Sequence, residues 1–178
     1  MRKVLIVKLS SLGDVVHAMP AVQDLRSALP GVQIDWVVEG GFVPLAARCQ
    51  GVGRVIACDL RRWRKSPFAK QNRQEWKQFK TELQSEAYDA VIDLQGLTKS
   101  AVVARLADGP RHGLANATEG SSFEAPARWL TDHPIAVEPH IDAIERSRVL
   151  AAAALGHAHA AAPRFGLRGR TCPSADAP

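Results

Sequence analysis

Two apolar runs constrain this chain more than anything else in it, because each ends in small, hydroxylated or glycyl residues and is followed by helical spacing rather than a tight return. The first, Val4 to Leu9, leads through Ser10, Ser11, Leu12 and Gly13 to Asp14; the second, Ala90 to Leu94, leads through Gln95 and Gly96 to Thr98. A continuous β-branched run marks a parallel strand buried on both faces, and strands alternating with helices make βαβ units. Ligands of open parallel sheets bind beyond the carboxyl ends of the strands. Asp14 is therefore read as an acid at the functional edge of a sheet. The alternative is a helix cap, since a carboxylate there accepts free N–H groups and complements the dipole.

Further runs at Ile34 to Val38, Arg54 to Ala57 and, more weakly, near Gly113 extend the alternation to an α/β fold, a Rossmann-like parallel sheet flanked by helices. Val15, Met19, Val22, Leu25 and Leu29 recur at helical spacing; Pro20 is expected to open the regular part of that helix and Pro30-Gly31 to end it. Gln71 to Glu86 sets Trp76, Phe79 and Leu83 on one stripe of a surface helix, and a last helix fits Pro139 to Leu155. Asn116 to Glu124 carries no period and reads as a functional loop. With 178 residues, 46% of them hydrophobic, the chain can bury one core, expected over residues 1–156. The Ala-, Pro-, Gly- and Arg-rich composition from His157 to Pro178 predicts an unstructured tail. Cys49, Cys58 and Cys172 have no metal-type spacing and fit a reducing compartment as packing residues. Lys8 interrupts the first apolar run and no other run approaches a bilayer's thickness, so neither a secretory signal nor a membrane span is expected.

The net charge of +5 favours anionic partners. Arg61, Arg62, Arg64, Lys65, Lys70, Arg73, Lys77 and Lys80 crowd a window containing one acid, Glu75, which makes either a solvated helix face or an anion-binding surface. With Trp63 and Trp76 interleaved the window would also suit nucleic acid, but no RNA- or DNA-binding motif accompanies it. The G-x-G-x-x-G and G-x-x-x-x-G-K-[ST] patterns are absent, which removes the dinucleotide and P-loop readings. No Asp-x-Asp pair offers a metal bridge to a sugar nucleotide. His17 reads as structural, and His157 and His159 are too few for a metal site.

The block from Val4 to His17, then Asp35-Trp36-Val37-Val38-Glu39, then Arg61-Arg62-Trp63-Arg64-Lys65, then Tyr88 to Ser100 occur in the order seen in lipopolysaccharide heptosyltransferases. The chain resembles the N-terminal half of that family, glycosyltransferase family 9, from residue 2 to residue 155. The resemblance implies half of a two-domain, GT-B type inverting glycosyltransferase. Such an enzyme moves L-glycero-D-manno-heptose from ADP-heptose to a Kdo hydroxyl of Kdo2-lipid A, with no metal or other cofactor and no nucleic-acid partner. It works in the cytoplasm, at the periphery of the inner membrane. By the same resemblance Asp14 is the catalytic base, aimed by Ser10, Ser11 and Gly13, and Arg61, Arg62, Arg64 and Lys65 are acceptor-side positions. Gln95, Gly96 and Lys99 either line the same cleft or form a tight turn with a solvated lysine. The Arg-Arg-Trp-Arg-Lys block favours the enzyme adding the first heptose over the one adding the second. The family's Arg-Glu-Pro segment is replaced here by Ser122-Phe123-Glu124-Ala125-Pro126. The family's donor-binding C-terminal half has no counterpart in these residues, so the chain alone is expected to lack most of a donor site and to be a truncated form.

Overall fold

Along Val4-Leu5-Ile6-Val7 every side chain is buried, and successive residues enter different cores: Val4 and Ile6 belong to one cluster, Leu5 and Val7 to the other. A strand with two apolar faces must be central. The computed structural model, which describes residues 2–121, 123–159 and 162–169, places it so. Six strands form one sheet: β1 (Lys3–Val7), β2 (Gln33–Val38), β3 (Val52–Ala57), β4 (Ala90–Asp93), β5 (Arg111–Leu114) and β6 (His133–Ile135). All pairings are parallel, in the order β3-β2-β1-β4-β5-β6, with Ile6 opposite Trp36 on one side and Ile92 on the other. This is the doubly wound order, and its direction reverses between β1 and β4, where such folds place their ligands.

Seven helices follow in chain order: α1 (Leu12–Ala28), α2 (Val43–Ala46), α3 (Leu60–Lys65), α4 (Lys70–Leu83), α5 (Thr98–Leu106), α6 (Ala125–Trp129) and α7 (Ala143–Leu155). Val15, Met19, Val22 and Leu25 of α1 join Leu150 and Ala151 of α7 over one sheet face. Trp63, Phe79, Leu83, Val103 and Ala104, from α3, α4 and α5, cover the other. Cys49 and Cys58 are buried free thiols, which burial pushes up to about 11 and about 12, and they are packing residues; Cys172 lies outside the described residues.

Several expectations are corrected. Helix α1 starts at Leu12 and runs through Pro20, because a cap at Ser11 begins it two turns earlier and burial of its apolar stripe outweighs the backbone bond that proline forfeits. Helix α7 starts at Ala143 rather than Pro139, since Asp142 Oδ1 accepts the N–H groups of Ile144 and Glu145 at 2.8 and 3.0 Å; Gly156 closes it at φ 67°. Helix α3 and strand β6 carry too few residues for a periodic signal. The unstructured tail is replaced, over 162–169, by an extended segment against the end of α1. Leu167 bridges Cys49, the N–H of Gln50 donates to the Gly166 carbonyl at 2.8 Å, and that of Arg168 donates to the Arg48 carbonyl at 3.0 Å. Main-chain groups left free after α2 acquire partners there. The remainder of the tail, residues 160, 161 and 170–178, lies outside the described residues.

A buried ion pair locks α7 onto α1. Arg148, 1% exposed, donates from Nε to Asp24 Oδ2 and from Nη1 to Glu145 Oε2, each at 2.7 Å. Removing one partner of such a pair strands a charge in the core. Arg148→Met is therefore expected to lower stability by about 3–5 kcal/mol, read from urea unfolding followed by circular dichroism. Adding Asp24→Asn to the same chain should recover part of the loss; a double variant as weak as the single one would show that packing, not the charge, was at stake.

Candidate active site at the strand-order reversal

The loops leaving β1 and β4 meet at the reversal point and are stitched together. The N–H of Leu94 donates to the Val7 carbonyl at 3.0 Å, and Lys8 Nζ donates to the Leu94 carbonyl at 3.1 Å. The N–H of Leu9 donates to Gln95 Oε1 at 2.8 Å. Asp93, fully buried, accepts from the N–H groups of Gln95 and Gly96 and from Ser100 Oγ, and its desolvation pushes it up to about 6 against those bonds. Gly96 turns at φ 74°, where a Cβ would meet Leu114 at 3.0 Å.

Asp14 stands in this frame at the third position of α1. Ser11 is the N-cap, so the cap alternative for Asp14 is corrected: Asp14 is the reciprocal acid of the capping box. Its Oδ2 accepts from Ser11 N at 2.9 Å and Ser11 Oγ at 3.2 Å, and its Oδ1 lies 3.1 Å from Lys8 Nζ. Partial burial pushes the carboxyl up, but the Ser11 N–H and the Lys8 ammonium together outweigh it and hold Asp14 below its ordinary value. The carboxylate keeps 38% exposure, so an ionised acid meets solvent at the end of β1. Gly13 meets nothing closer than His17, 3.9 Å from a built Cβ, so no contact inside the protein demands glycine there.

A cleft of about 360 Å³ is lined by Glu39, Leu60, Arg61, Arg64, Lys65 and Lys99. A second, of about 670 Å³, shares Arg64 and Lys99 with it and continues past Val102 to Glu124. Lys99 ties the clefts to the Asp14 loop, its Nζ donating to Ser10 Oγ at 3.1 Å and lying 3.9 Å from Glu39. Arg61, Arg64, Lys65 and Lys99 are thus brought together around one cavity.

Other expected residues have different work. The Arg62 guanidinium is paired with Glu75 and, at 2.9 Å, with Asp59, so its charge is answered within the protein. Gln95 and Gly96 are buried and hold the turn instead of lining either cleft. Trp63, Trp76 and Phe79 pack against one another in edge-on and tilted contacts with ring centroids 5.5 to 5.7 Å apart, and Trp63 Nε1 donates to Glu75, so the tryptophans are engaged within the protein rather than offered as platforms for bases. Two site residues went unread in the sequence, Lys8 and Glu39, although each had a signal in following a strand's last apolar residue. Glu124, in the segment that stands where the family has Arg-Glu-Pro, lies at the second cleft and accepts from the Thr98 N–H at 2.8 Å. Among the described residues no group of three His, Cys, Asp or Glu could hold a metal ion, and no helix is long and apolar enough to cross a membrane.

The profile of glycosyltransferase family 9 (heptosyltransferase) matches residues 76–172. The lipopolysaccharide heptosyltransferase 1 of Escherichia coli K12 is 47% identical over 156 residues, which are 87% of this chain and 48% of that protein. Two solved structures of E. coli heptosyltransferase WaaC superpose on the fold: with ADP at TM-score 0.86 and 40% identity, covering 92% of this chain and 51% of that one; with ADP-2-deoxy-2-fluoro heptose at 0.83 and 42%, covering 90% and 50%. The chain spans about half the length of these relatives. By profile and identity alike, the chain belongs to glycosyltransferase family 9, the heptosyltransferases.

Proposed function

We propose that this chain is the acceptor-binding half of an inverting heptosyltransferase that moves L-glycero-D-manno-heptose from ADP-heptose to a Kdo hydroxyl of Kdo2-lipid A. The observation that carries this reading is an ionised carboxylate, Asp14, past the end of the central strand, in a loop that Lys99 joins through Ser10 to a cleft ringed by Arg61, Arg64, Lys65 and Lys99. An acceptor with a carboxylate on its Kdo and phosphates on its lipid A suits such a ring, because guanidinium forks and ammonium groups match both anions. Asp14 takes the proton of the attacking hydroxyl as its oxygen bonds to the anomeric carbon; ADP departs from the opposite face with the electron pair. A carboxylate is effective in that role only when held within hydrogen-bond reach of the hydroxyl. The bare Gly13 beside it leaves room for sugar to approach. The donor is held from across the cleft by the family's other half, the reaction needs no metal, and the lipid acceptor brings the protein to the cytoplasmic face of the inner membrane.

Two outcomes are expected. Calorimetry of the chain with detergent-dispersed Kdo2-lipid A should show binding that weakens with salt. Replacing Arg61, Arg64 and Lys99 together by alanine should weaken it roughly 3- to 100-fold, since each exposed contact contributes about 0.2–1 kcal/mol. Arg62→Ala should change it little; a loss as large as the triple variant's would mean that Arg62 leaves Glu75 to meet the acceptor. Joined to the C-terminal half of the E. coli relative, the chain should transfer heptose, measured by mass spectrometry of the lipid. In that hybrid Asp14→Asn should lose at least ~10²-fold in rate while retaining donor affinity, and undiminished turnover would remove Asp14 as the base.

A further inference from the structure

Two cations lie buried behind Asp14, and the proton transfer assigned to that residue calls on neither. Lys8 is 3% exposed and has two polar partners, the Leu94 carbonyl and Asp14 Oδ1, each 3.1 Å from Nζ. Arg146 reaches the same region from α7. It is 4% exposed, its Nη1 donates to Thr118 Oγ1 at 3.0 Å, its buried Nε has no hydrogen-bond partner, and it makes no ion pair among the described residues. Burying a charge without a close counter-charge is costly, and two like charges at one site compound the cost. A fold retains such a pair where the charges do something that apolar side chains cannot.

The groups facing Asp14 come from three elements. Ser11 binds Oδ2 from the start of its own helix, Lys8 binds Oδ1 from the end of β1, and Arg146 acts on it from α7 without touching it. Asp93 of β4 acts on Lys8 from behind, and Asp142 on Arg146. Burial pulls Lys8 below its ordinary value, with Arg146 adding to that pull and Asp14 opposing it, so Asp14 is the close counter-charge that keeps Lys8 an ammonium.

We propose that Lys8 is the positioning residue of the base: it clamps one oxygen of Asp14 while Ser11 clamps the other. The carboxylate then has one orientation, and the lone pairs left over are those open to solvent. The proposal takes from the functional reading only that Asp14 is the base, and the test reads its ionisation directly, whether or not heptose is transferred.

The measurement is a carbon-13 NMR titration of the Asp14 carboxyl in the purified chain. The native midpoint should lie below the ordinary Asp value of about 3.9. Lys8→Met should raise it by about one unit or more, and Lys8→Arg should restore it. A folded Lys8→Met chain with the native midpoint overturns the proposal. Should Lys8→Met not fold, the reciprocal experiment decides: in Asp14→Asn the Lys8 side-chain carbons should titrate at lower pH than in the native chain, and an unmoved Lys8 overturns the clamp. In the hybrid enzyme, Lys8→Met should move the acid limb of the rate profile upward and lower kcat with little change in the acceptor KM. A hybrid inactive even with Lys8 intact would count against the catalytic reading and leave the titration result standing.

Discussion

Everything at the site depends on β1 being paired in parallel on both edges. A strand between β2 and β4, with apolar side chains on both faces, cannot slide by one residue without exchanging its two cores, so the place where it ends is fixed to the residue. The first residue past that end is Lys8, whose carbonyl accepts from Trp36 Nε1 at 3.2 Å and whose N–H donates to the Val37 carbonyl at 3.2 Å. Both contacts come from β2. The side chain of the same residue reaches the other way, to Leu94 beyond β4. Lys8 thus joins all three central strands at their carboxyl ends, and the charge it carries into the interior is what Asp14 answers.

That frame explains which loop residues are for ligand and which are for the protein. Parallel strands leave carbonyl and N–H groups unpaired where they stop, and a buried turn must satisfy them itself. Asp93, Gln95 and Gly96 do so after β4, which is why they are buried and unavailable to a sugar. Lys99, the second residue of α5, is free of that duty and extends to the cleft. After β1 the same division falls within one residue: Asp14 closes the capping box of α1 by accepting the Ser11 N–H with one oxygen and still presents an ionised edge to solvent. The acid that steadies the helix start and the candidate base are one group.

The parallel sheet, its doubly buried first strand and the position of Asp14 were legible in the sequence because they rest on long apolar runs and their glycyl ends; the strand order was not. Nor was the fate of the arginine block. Read as a block, Arg61, Arg62, Arg64 and Lys65 are four equivalent cations. Wound into α3, residues 61, 64 and 65 reach the first cleft, and residues 62 and 63 do not line it. Trp63 enters the core, and Arg62 is carried to Glu75 of α4. A six-residue helix gives too little periodicity to be recognised beforehand, and with it went the distinction between cations that meet solvent and one that meets a carboxylate. Arg148 escaped in the same way. It was seen as part of a mixed helical face, yet its partner Asp24 lies 124 positions away, a pairing that only the packed helices reveal.

The charges around Asp14 set opposing demands that the geometry reconciles. A base gains strength as its carboxyl rises toward the working pH, yet it must be ionised to act at all. Ser11 and Lys8 favour ionisation and weaken the base; partial burial does the reverse. When the acceptor proton arrives, the negative charge that neutralised Lys8 vanishes, and an ammonium stranded in the interior would drive the proton off again. Asp93 moderates this. It acts electrostatically on Lys8 from the end of β4, and three hydrogen bonds favour its ionised form against the desolvation that pushes it up to about 6, so a second carboxylate supports the ammonium when Asp14 is neutralised. The second carboxylate in the core, costly to bury and out of reach of any ligand, is what allows a weak surface carboxylate to accept a proton without leaving the lysine beneath it unopposed.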